Sequence, residues 1–452
     1  MLKCVDFTWV GWYNRQEMKL CKIEANGMKS VDFHKAGRYL WAFVRWVLTG
    51  IVIGCVCGVV GGLFAMAVEK VTHLRMHNSW LMYLLPLGGL MIAGVYRLLR
   101  LPLSVGTDEI ISTVRTQKKV PVAMAPAIFF STVVTHLLGG SAGREGAALQ
   151  LGGSLGAAIG DHLHPHKDSR RLCELCGMAA LFSALFGTPL TATVFVLEII
   201  EIGRINERGL LPCLSASLTA ALVARAIGAP AEVFPLAGGL SGVNTVPLLQ
   251  AAGLGIACAL TSMMFCRVMH ASGRLFRKML PNPWVRVAVG GVAVVQLSLL
   301  LGTTDYQGGG MQVITAALAG QALPAAFLLK LVFTAITLGT GFKGGEIVPS
   351  FFVGATMGCV AAPLLGMSPA LGAGLGLVGV FCGVTNAPLA SILLSLELFG
   401  MEYLPLFAVT AVVSFMMSGH DSLYRTQKFA QPKLGHERNQ EEYDATDTST
   451  RD

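Results

Sequence analysis

The chain has 452 residues, of which 53% are apolar and only 13% are charged. Its mean hydropathy is +0.62. A soluble domain carries about 25% charged residues, so this composition excludes the soluble classes and indicates a polytopic membrane protein. The formal charge of +8 resembles that of a nucleic-acid binder, but its carriers lie in short loops and near the N-terminus, as the positive-inside rule expects. We therefore expect membrane lipid, and no nucleic acid, as a partner.

Residues 1–38 lack the continuous apolar core of a secretory signal and are predicted to form a cytoplasmic N-terminal segment. Between the second and third apolar runs, the polar break at 104–110 has the character of an ordinary cytoplasmic loop. From 421 onward a short polar C-terminal tail is predicted, and 437–452 has the mixed charge of a disordered segment. The predicted membrane spans are 46–68, 80–98, 122–138, 147–162, 178–202 with a break at 187–189, 210–227, 247–269, 285–301, 322–339, 346–365, 371–384, 388–399 and 405–417.

An internal repeat organises these spans. Gly146 and Gly345, Pro189 and Pro388, and Glu198 and Glu397 are all separated by one offset of 199 residues. Repeats of this kind in membrane proteins are typical of transporters, with inverted topology when each copy has an odd number of spans. We predict an all-α fold of two inverted-topology repeats, about 45–227 and about 245–420.

Each repeat also contains a glycine-rich break at membrane depth, at 139–146 in the first copy and at 339–346 in the second. Glycine allows close backbone approach, and a helix that begins there exposes free N–H groups and the positive end of its dipole. Broken helices from both copies are thus predicted to meet at the bilayer midplane and attract an anion.

The residues Gly143-Arg144-Glu145-Gly146, the segment 344–349 and Asn-Ala-Pro-Leu at 386–389 resemble the CLC family of chloride channels and proton-coupled anion exchangers, over about 45–425. The resemblance implies a CLC-like transmembrane domain over 39–420, and a homodimer with a separate anion pathway in each subunit. It also implies a bacterial inner membrane with both termini cytoplasmic. Halide anions and protons are the implied partners, and no cofactor or enzyme activity is expected.

The resemblance further implies the site residues. Glu145 is the gating and proton-transfer group, because an ionised carboxylate can mimic the anion and protonation can release it; the alternative is a structural pair with Arg144. The Tyr424 ring either closes the inner end of the anion path or belongs to an interfacial aromatic belt. The implied anion-binding residues are Gly143, Arg144, Gly146, Gly345, Glu346, Ile347 and Tyr424.

Two departures from the common chloride members leave alternatives open. At 104–110 the usual serine motif is missing, so Ser104, Val105 or Thr107 is expected to face the central anion. The family's inner proton-transfer glutamate falls at Ile199, which favours a passive chloride channel unless another inner route exists. Both departures resemble the fluoride/proton antiporter branch, and antiport of chloride or fluoride remains the leading hypothesis. Thr385 either lines the path or caps a helix start.

Two other clusters of potentially reactive side chains do not predict a site. A metal site at His162, His164, His166, Cys173 and Cys176 is not expected, because these residues lie in a cationic loop and an apolar helix. The acidic residues Glu198, Glu201 and Glu207 mark the end of a span and its loop, with no nucleophile or base beside them. No enzyme activity follows from either cluster.

Overall fold

The computed structural model describes residues 33–116, 120–163, 167–230, 234, 245–430 and 433. The chain divides into two compact units, Met1–Trp46 and Val47–Asp452. In the first unit the described residues are helical, and the Arg45 guanidinium lies 5.9 Å from the centre of the Trp41 ring. The second unit contains every candidate site residue.

The fold is mostly helical, as predicted, with one short pair of strands. The first repeat region contains α1 (Phe33–His77), a 3₁₀ turn (Ser79–Leu84), α2 (Leu85–Leu98), α3 (Thr107–Thr116), α4 (Met124–Leu137), α5 (Glu145–Leu163), α6 (Lys167–Phe186), α7 (Pro189–Glu198), β1 (Glu201–Ile202), a 3₁₀ turn (Glu207–Gly209) and α8 (Leu210–Ala226). The second contains α9 (Thr245–Met279), α10 (Pro283–Leu301), α11 (Met311–Leu318), α12 (Ala326–Thr340), α13 (Ile347–Ala361), a 3₁₀ turn (Ala362–Leu365), α14 (Pro369–Thr385), α15 (Pro388–Phe399), α16 (Leu404–Met417) and β2 (Lys428–Phe429).

Six helical segments in the described part of the chain are long and apolar enough to cross a membrane: Gly37–His77, Ser79–Leu98, Glu207–Ala226, Thr245–Met279, Pro283–Leu301 and Ile347–Leu365. Several other apolar helices have only 10–17 residues. A full crossing needs about 20 residues, so most of these shorter helices are too short to cross a bilayer alone. They are the broken helices that the glycine-rich stretches predict.

Two helices differ from the predictions. The stretch 104–110 is not an ordinary loop, because Thr107 begins α3 and buries Ile110 and Ile111 against the other helices. Helix α11 (Met311–Leu318) falls in a stretch where no span is predicted. Both helices have at most 10 residues, too few to give the long apolar run that marks a membrane span.

Glycine contacts repeat in the two halves at the crossing of equivalent helices. A Cβ built on Gly177 would lie 2.1 Å from the carbonyl oxygen of Gly152, and one built on Gly376 would lie 2.2 Å from the carbonyl oxygen of Gly354. Helices α5 and α6, and likewise α13 and α14, therefore touch backbone to backbone. Such close approach is how membrane helices associate without a hydrophobic driving force.

The first ten residues of the predicted C-terminal tail, 421–430, have partners in the rest of the second unit. The Leu423 N–H donates to the Val384 carbonyl at 2.8 Å, and β2 pairs in parallel with β1. The Lys433 ammonium donates to the Phe415 carbonyl at 2.6 Å, at the C-terminal end of α16, and burial lowers the pKa of Lys433 to about 8. Residues 421–430 thus pack on the helices, because their backbone groups find partners there. The segment 437–452, predicted to be disordered, lies outside the described residues.

The glutamates Glu198 and Glu397, equivalent by the repeat, cap each other's helix starts. The Glu198 carboxylate accepts from the N–H groups of Leu389 and Ala390 at 3.1 and 2.9 Å, at the start of α15. The Glu397 carboxylate accepts from Leu190 and Thr191 at 3.0 and 2.8 Å, at the start of α7. Each carboxylate therefore satisfies N–H groups that the helix leaves unpaired, and each lies at the positive end of a dipole.

We expect Glu198→Gln and Glu397→Gln each to lower the free energy of unfolding by about 1 kcal/mol, since each removes a charged N-terminal cap. Each helix carries the glutamate that caps the other, so the double variant should lose less than the sum of the single losses. Thermal unfolding in detergent measures the effect, with the exposed Glu207→Gln as control. Strict additivity of the two losses would show that the caps act independently.

Candidate functional site

The site lies where the two glycine-rich breaks meet. Gly143 and Gly345 form an isolated antiparallel bridge, in which the Gly143 N–H donates to the Gly345 carbonyl at 2.8 Å and the Gly345 N–H donates to the Gly143 carbonyl at 2.7 Å. A Cβ built on Gly345 would lie 2.4 Å from the Gly146 nitrogen, and one on Gly143 would lie 2.2 Å from Glu145 Oε2. Only glycine allows the two copies to meet this closely.

Glu145 is the first residue of α5 and is fully buried. Its Oε2 accepts a hydrogen bond from the Val348 N–H at 3.3 Å. Val348 lies in the first turn of α13, where the N–H groups have no partner within the helix, and no side chain of the N-cap residue Glu346 caps them. The carboxylate of one repeat therefore occupies the anion-attracting helix end of the other.

The remaining predicted residues of the two breaks lie around this contact. Ile347 is buried at the first position of α13, and Glu346 is half-buried beside it. The half-buried Arg144 donates from Nη2 to the Leu185 carbonyl at 3.5 Å. Gly146 contacts the Gly345 backbone, since its Cβ would lie 3.0 Å from Gly345 Cα.

Two cavities approach Glu145. The Arg75 cavity, about 360 Å³, is lined by Arg75, His136, Glu145, Gln307, Gly310 and Val348, among others. The Tyr424 cavity, about 200 Å³, is lined by Thr107, Gln150, Lys343, Glu346 and Tyr424, among others. The first includes both partners of the Glu145–Val348 hydrogen bond, and the second includes the neighbouring Glu346. The buried carboxylate thus lines the first cavity, and Glu346, which directly precedes α13, lines the second.

Of the three candidates in the 104–107 segment, Thr107 comes nearest to the glycine-rich break. Its hydroxyl is 3.3 Å from the Gly146 carbonyl and accepts from the Gln150 amide at 3.2 Å. Ser104 is exposed and Val105 half-buried, although both line the Tyr424 cavity. The Lys343 ammonium donates to the carbonyls of Leu103 and Val105, both at 2.6 Å, and so fixes this segment against the second repeat.

Tyr424 and Thr385 lie in two segments that are hydrogen-bonded to each other. Tyr424 is buried and lines its cavity, and its hydroxyl has no hydrogen-bond partner among the described residues. The Thr385 hydroxyl donates to the Phe381 carbonyl at 2.7 Å within α14. The backbone carbonyl of Thr385 accepts from the Gln427 side-chain amide at 2.9 Å. Thr385 is the last residue of α14, so the helix-start cap is wrong for it.

Several polar residues near the site are missing from the sequence-based candidates. They are Arg75, His136, Lys330, Lys343 and Gln150, all of which are buried. An ionisable residue inside an apolar segment is a functional signal by default, so Lys330 and His136 could have been selected by that rule. Arg75 could not, because it stands at the basic end of a long span, where positive charge is ordinary.

The described residues contain no group of three or more side chains that could hold a metal ion. Cys176 Sγ lies 3.9 Å from Cys213 Sγ in the apolar interior. His164 and His166 lie outside the described residues.

Two inverted repeats, helices broken at membrane depth and a buried carboxylate in a cavity wall define a multi-pass membrane transport protein. The model of the family described as voltage gated chloride channel matches residues 88–419. The chain belongs to this CLC family, as its motifs predict.

Relatives and solved structures agree with this assignment. A chloride/fluoride channel protein of Pseudomonas syringae pv. tomato is 34% identical over 396 residues, covering 86% of this chain and 87% of the relative. The crystal structure of a CLC-type fluoride/proton antiporter matches with a TM-score of 0.82 at 30% identity, covering 89% of this chain and 100% of that one. A slow cyanobacterial Cl⁻/H⁺ antiporter shares the fold, with a TM-score of 0.71 at 22% identity over 83% of this chain and 94% of that one.

Proposed function

We propose that the protein exchanges a halide anion for protons, with Glu145 as both the gate and the proton carrier. The observation that carries this proposal is the hydrogen bond from the Val348 N–H to Glu145 Oε2. It joins a buried carboxylate in the wall of the Arg75 cavity to a helix N-terminus whose preceding residue, Glu346, lines the Tyr424 cavity. An ionised carboxylate there has the charge and the acceptor atoms of the anion that it replaces.

The exchange follows from competition for one position. While Glu145 is ionised, its carboxylate holds the start of α13 and keeps a halide out. A proton neutralises the carboxylate and weakens its hold on the N–H groups and on the helix dipole, so a halide can take its place. When the halide leaves, the carboxylate returns and releases its proton. Each halide that passes in one direction thus requires a proton to move in the other.

The proton needs a second route, because Ile199 is apolar and fully buried. The Tyr424 cavity offers one, since Glu346 and Asp108 both line it. Glu346 stands directly before α13, next to the helix start that Glu145 contacts. We propose that protons from the cytoplasm enter through the Tyr424 cavity by way of these carboxyl groups.

Fluoride is the first halide to test. Of the proteins similar to this chain, the Pseudomonas relative is described as a chloride/fluoride channel protein and the solved structure as a fluoride/proton antiporter. Fluoride is small and accepts strong hydrogen bonds, and the wall of the Tyr424 cavity carries the Thr107, Gln150 and Tyr424 donors. Chloride remains the alternative substrate.

We also propose a cellular location and an oligomeric state. We place the protein in a bacterial inner membrane as a homodimer surrounded by lipid, with both termini cytoplasmic. Helices α7, α8 and α15 expose the leucines Leu190, Leu218, Leu222 and Leu389, and such a surface needs lipid or a second copy of the chain to cover it. Cross-linking in native membranes would show whether two copies are in contact.

A flux assay tests the function. Purified protein is reconstituted into liposomes loaded with fluoride or chloride, the membrane voltage is clamped at zero with valinomycin and potassium, and a pH electrode and a halide electrode record both movements. We expect halide efflux to drive protons into the liposomes with no initial pH gradient. Halide efflux without any proton movement would instead identify a passive channel, which is the function that the apolar Ile199 favours.

A further inference from the structure

The Arg75 cavity contains a buried cation that the exchange cycle does not use. The Arg75 side chain is only 8% exposed, and its Nη1 has no hydrogen-bond partner in the part of the chain that the structure describes. A Cβ built on Gly308 would lie 3.3 Å from both Nη1 and Nη2, so the guanidinium lies against this stretch of backbone. A guanidinium stays charged in proteins, and a buried donor without a partner is unfavourable. An anion in the cavity would satisfy it.

A helix start faces the same cavity. Gly310, Met311 and Gln312 line it, and they form the N-terminus of the eight-residue helix α11. Gly310 has a positive φ of 78° and no side chain caps the helix. The first N–H groups of a helix lack partners within it and carry partial positive charge. A second set of anion-attracting donors therefore lies beside Arg75.

Charges of both signs line the cavity, and a further buried cation lies close to Arg75. Fully buried Lys330 donates to the carbonyls of Tyr306 and Gly308 at 3.1 and 2.6 Å, so no carboxylate is needed to hold it there. Three carboxylates also line the cavity: those of Glu69 and Asp305, which are exposed, and that of Glu145, which is buried and accepts from the Val348 N–H. Two buried cations, Arg75 and Lys330, thus lie near one buried carboxylate, and their positive charge attracts an anion.

We infer that Arg75 and the start of α11 form a second anion-binding site, separate from the Glu145–Val348 position. Its ligand is a small monovalent anion, held next to the gate before it enters or after it leaves. The inference rests on the proposed function only in that the anion bound at Arg75 is transported past Glu145. The binding step itself does not require proton coupling.

The first test is equilibrium binding by the full-length protein in detergent. Fluoride and chloride are titrated by calorimetry at constant ionic strength into the unmodified protein, Arg75→Gln and the exposed control Arg97→Gln. We expect Arg75→Gln to raise the Kd about tenfold or more, since a hydrogen bond from a charged donor is lost, and Arg97→Gln to leave the Kd unchanged. A Kd for Arg75→Gln equal to that of the unmodified protein would overturn the inference.

The second test is flux in liposomes. The halide concentration that gives half-maximal flux should rise by a similar factor in Arg75→Gln, while flux at saturating halide stays close to that of the unmodified protein, because Glu145 and Val348 are intact. An unchanged half-maximal concentration would contradict the inference. If the unmodified protein transports no halide, the proposed function fails, yet the titration still decides whether Arg75 binds an anion.

A third variant separates the effect of charge from an effect of misfolding. Arg75→Cys is labelled with a thiol reagent that adds an ammonium group or, in a parallel sample, a sulfonate group, and the unmodified protein is labelled in the same way because Cys55 is exposed. The same purified protein is compared before and after labelling. We expect the ammonium label to restore part of the halide affinity and the sulfonate label to lower it further. Equal effects of the two labels would refute a role for positive charge.

Discussion

Glu145→Gln is expected to abolish proton movement while halide flux continues. The amide has nearly the shape of the carboxyl group but can neither ionise nor carry a proton, so nothing returns a negative charge to the start of α13 when the halide leaves. In liposomes clamped at zero voltage, proton uptake driven by halide efflux should fall to the level of liposomes without protein. The exposed Glu109→Gln on helix α3 is the matched control and should keep both fluxes.

The pH dependence of the same variant provides a second measurement. In the unmodified protein, halide flux should rise as pH falls, since protonation releases the carboxylate from the Val348 N–H. In Glu145→Gln this rise should disappear, because the competing negative charge is absent at every pH. Proton movement that survives in Glu145→Gln would show that another group carries the proton.

The centre of this site could be predicted from the sequence because its motif is local and recurs at a fixed offset. A glutamate among glycines inside an apolar segment is unusual in itself, and the offset of 199 residues identifies the matching break in the second repeat. Most helix bounds follow for the same reason, since apolar runs end at Gly, Pro and charged residues. The predicted limits agree with the structure at two places. One is the break between α4 and α5, and the other is helix α15 at 388–399.

Contacts between distant segments could not be predicted in this way. The offset marks Glu198 and Glu397 as equivalent, but only the fold shows that each reaches across to the helix of the other. Helix α3 is short and largely polar, so its sequence resembles a loop until buried contacts select the helix. The anion-binding role inferred for Arg75 could not be predicted either, because it depends on residues 308–312, which are distant in sequence and pack beside Arg75.

Gly345→Ala is expected to stop transport and to destabilise the protein. A Cβ at this position would lie 2.4 Å from the Gly146 nitrogen and 3.0 Å from the Glu145 nitrogen. These are backbone atoms at the start of α5, so they can move only if the gate moves with them. Overpacking of this kind costs about 1–3 kcal/mol, and the displaced Glu145 would no longer reach the Val348 N–H.

The matched control is Gly253→Ala in the interior of α9, where the nearest atom to a new Cβ is a Leu365 methyl carbon at 3.6 Å. That substitution should raise the free energy of unfolding by up to about 1 kcal/mol, because alanine favours the helix, and it should leave flux unchanged. Thermal unfolding in detergent and halide flux in liposomes measure both variants. If Gly345→Ala keeps normal flux and stability, the backbone contact between the two repeats is not what holds Glu145 in place, and the gate must be positioned by the side chains around it.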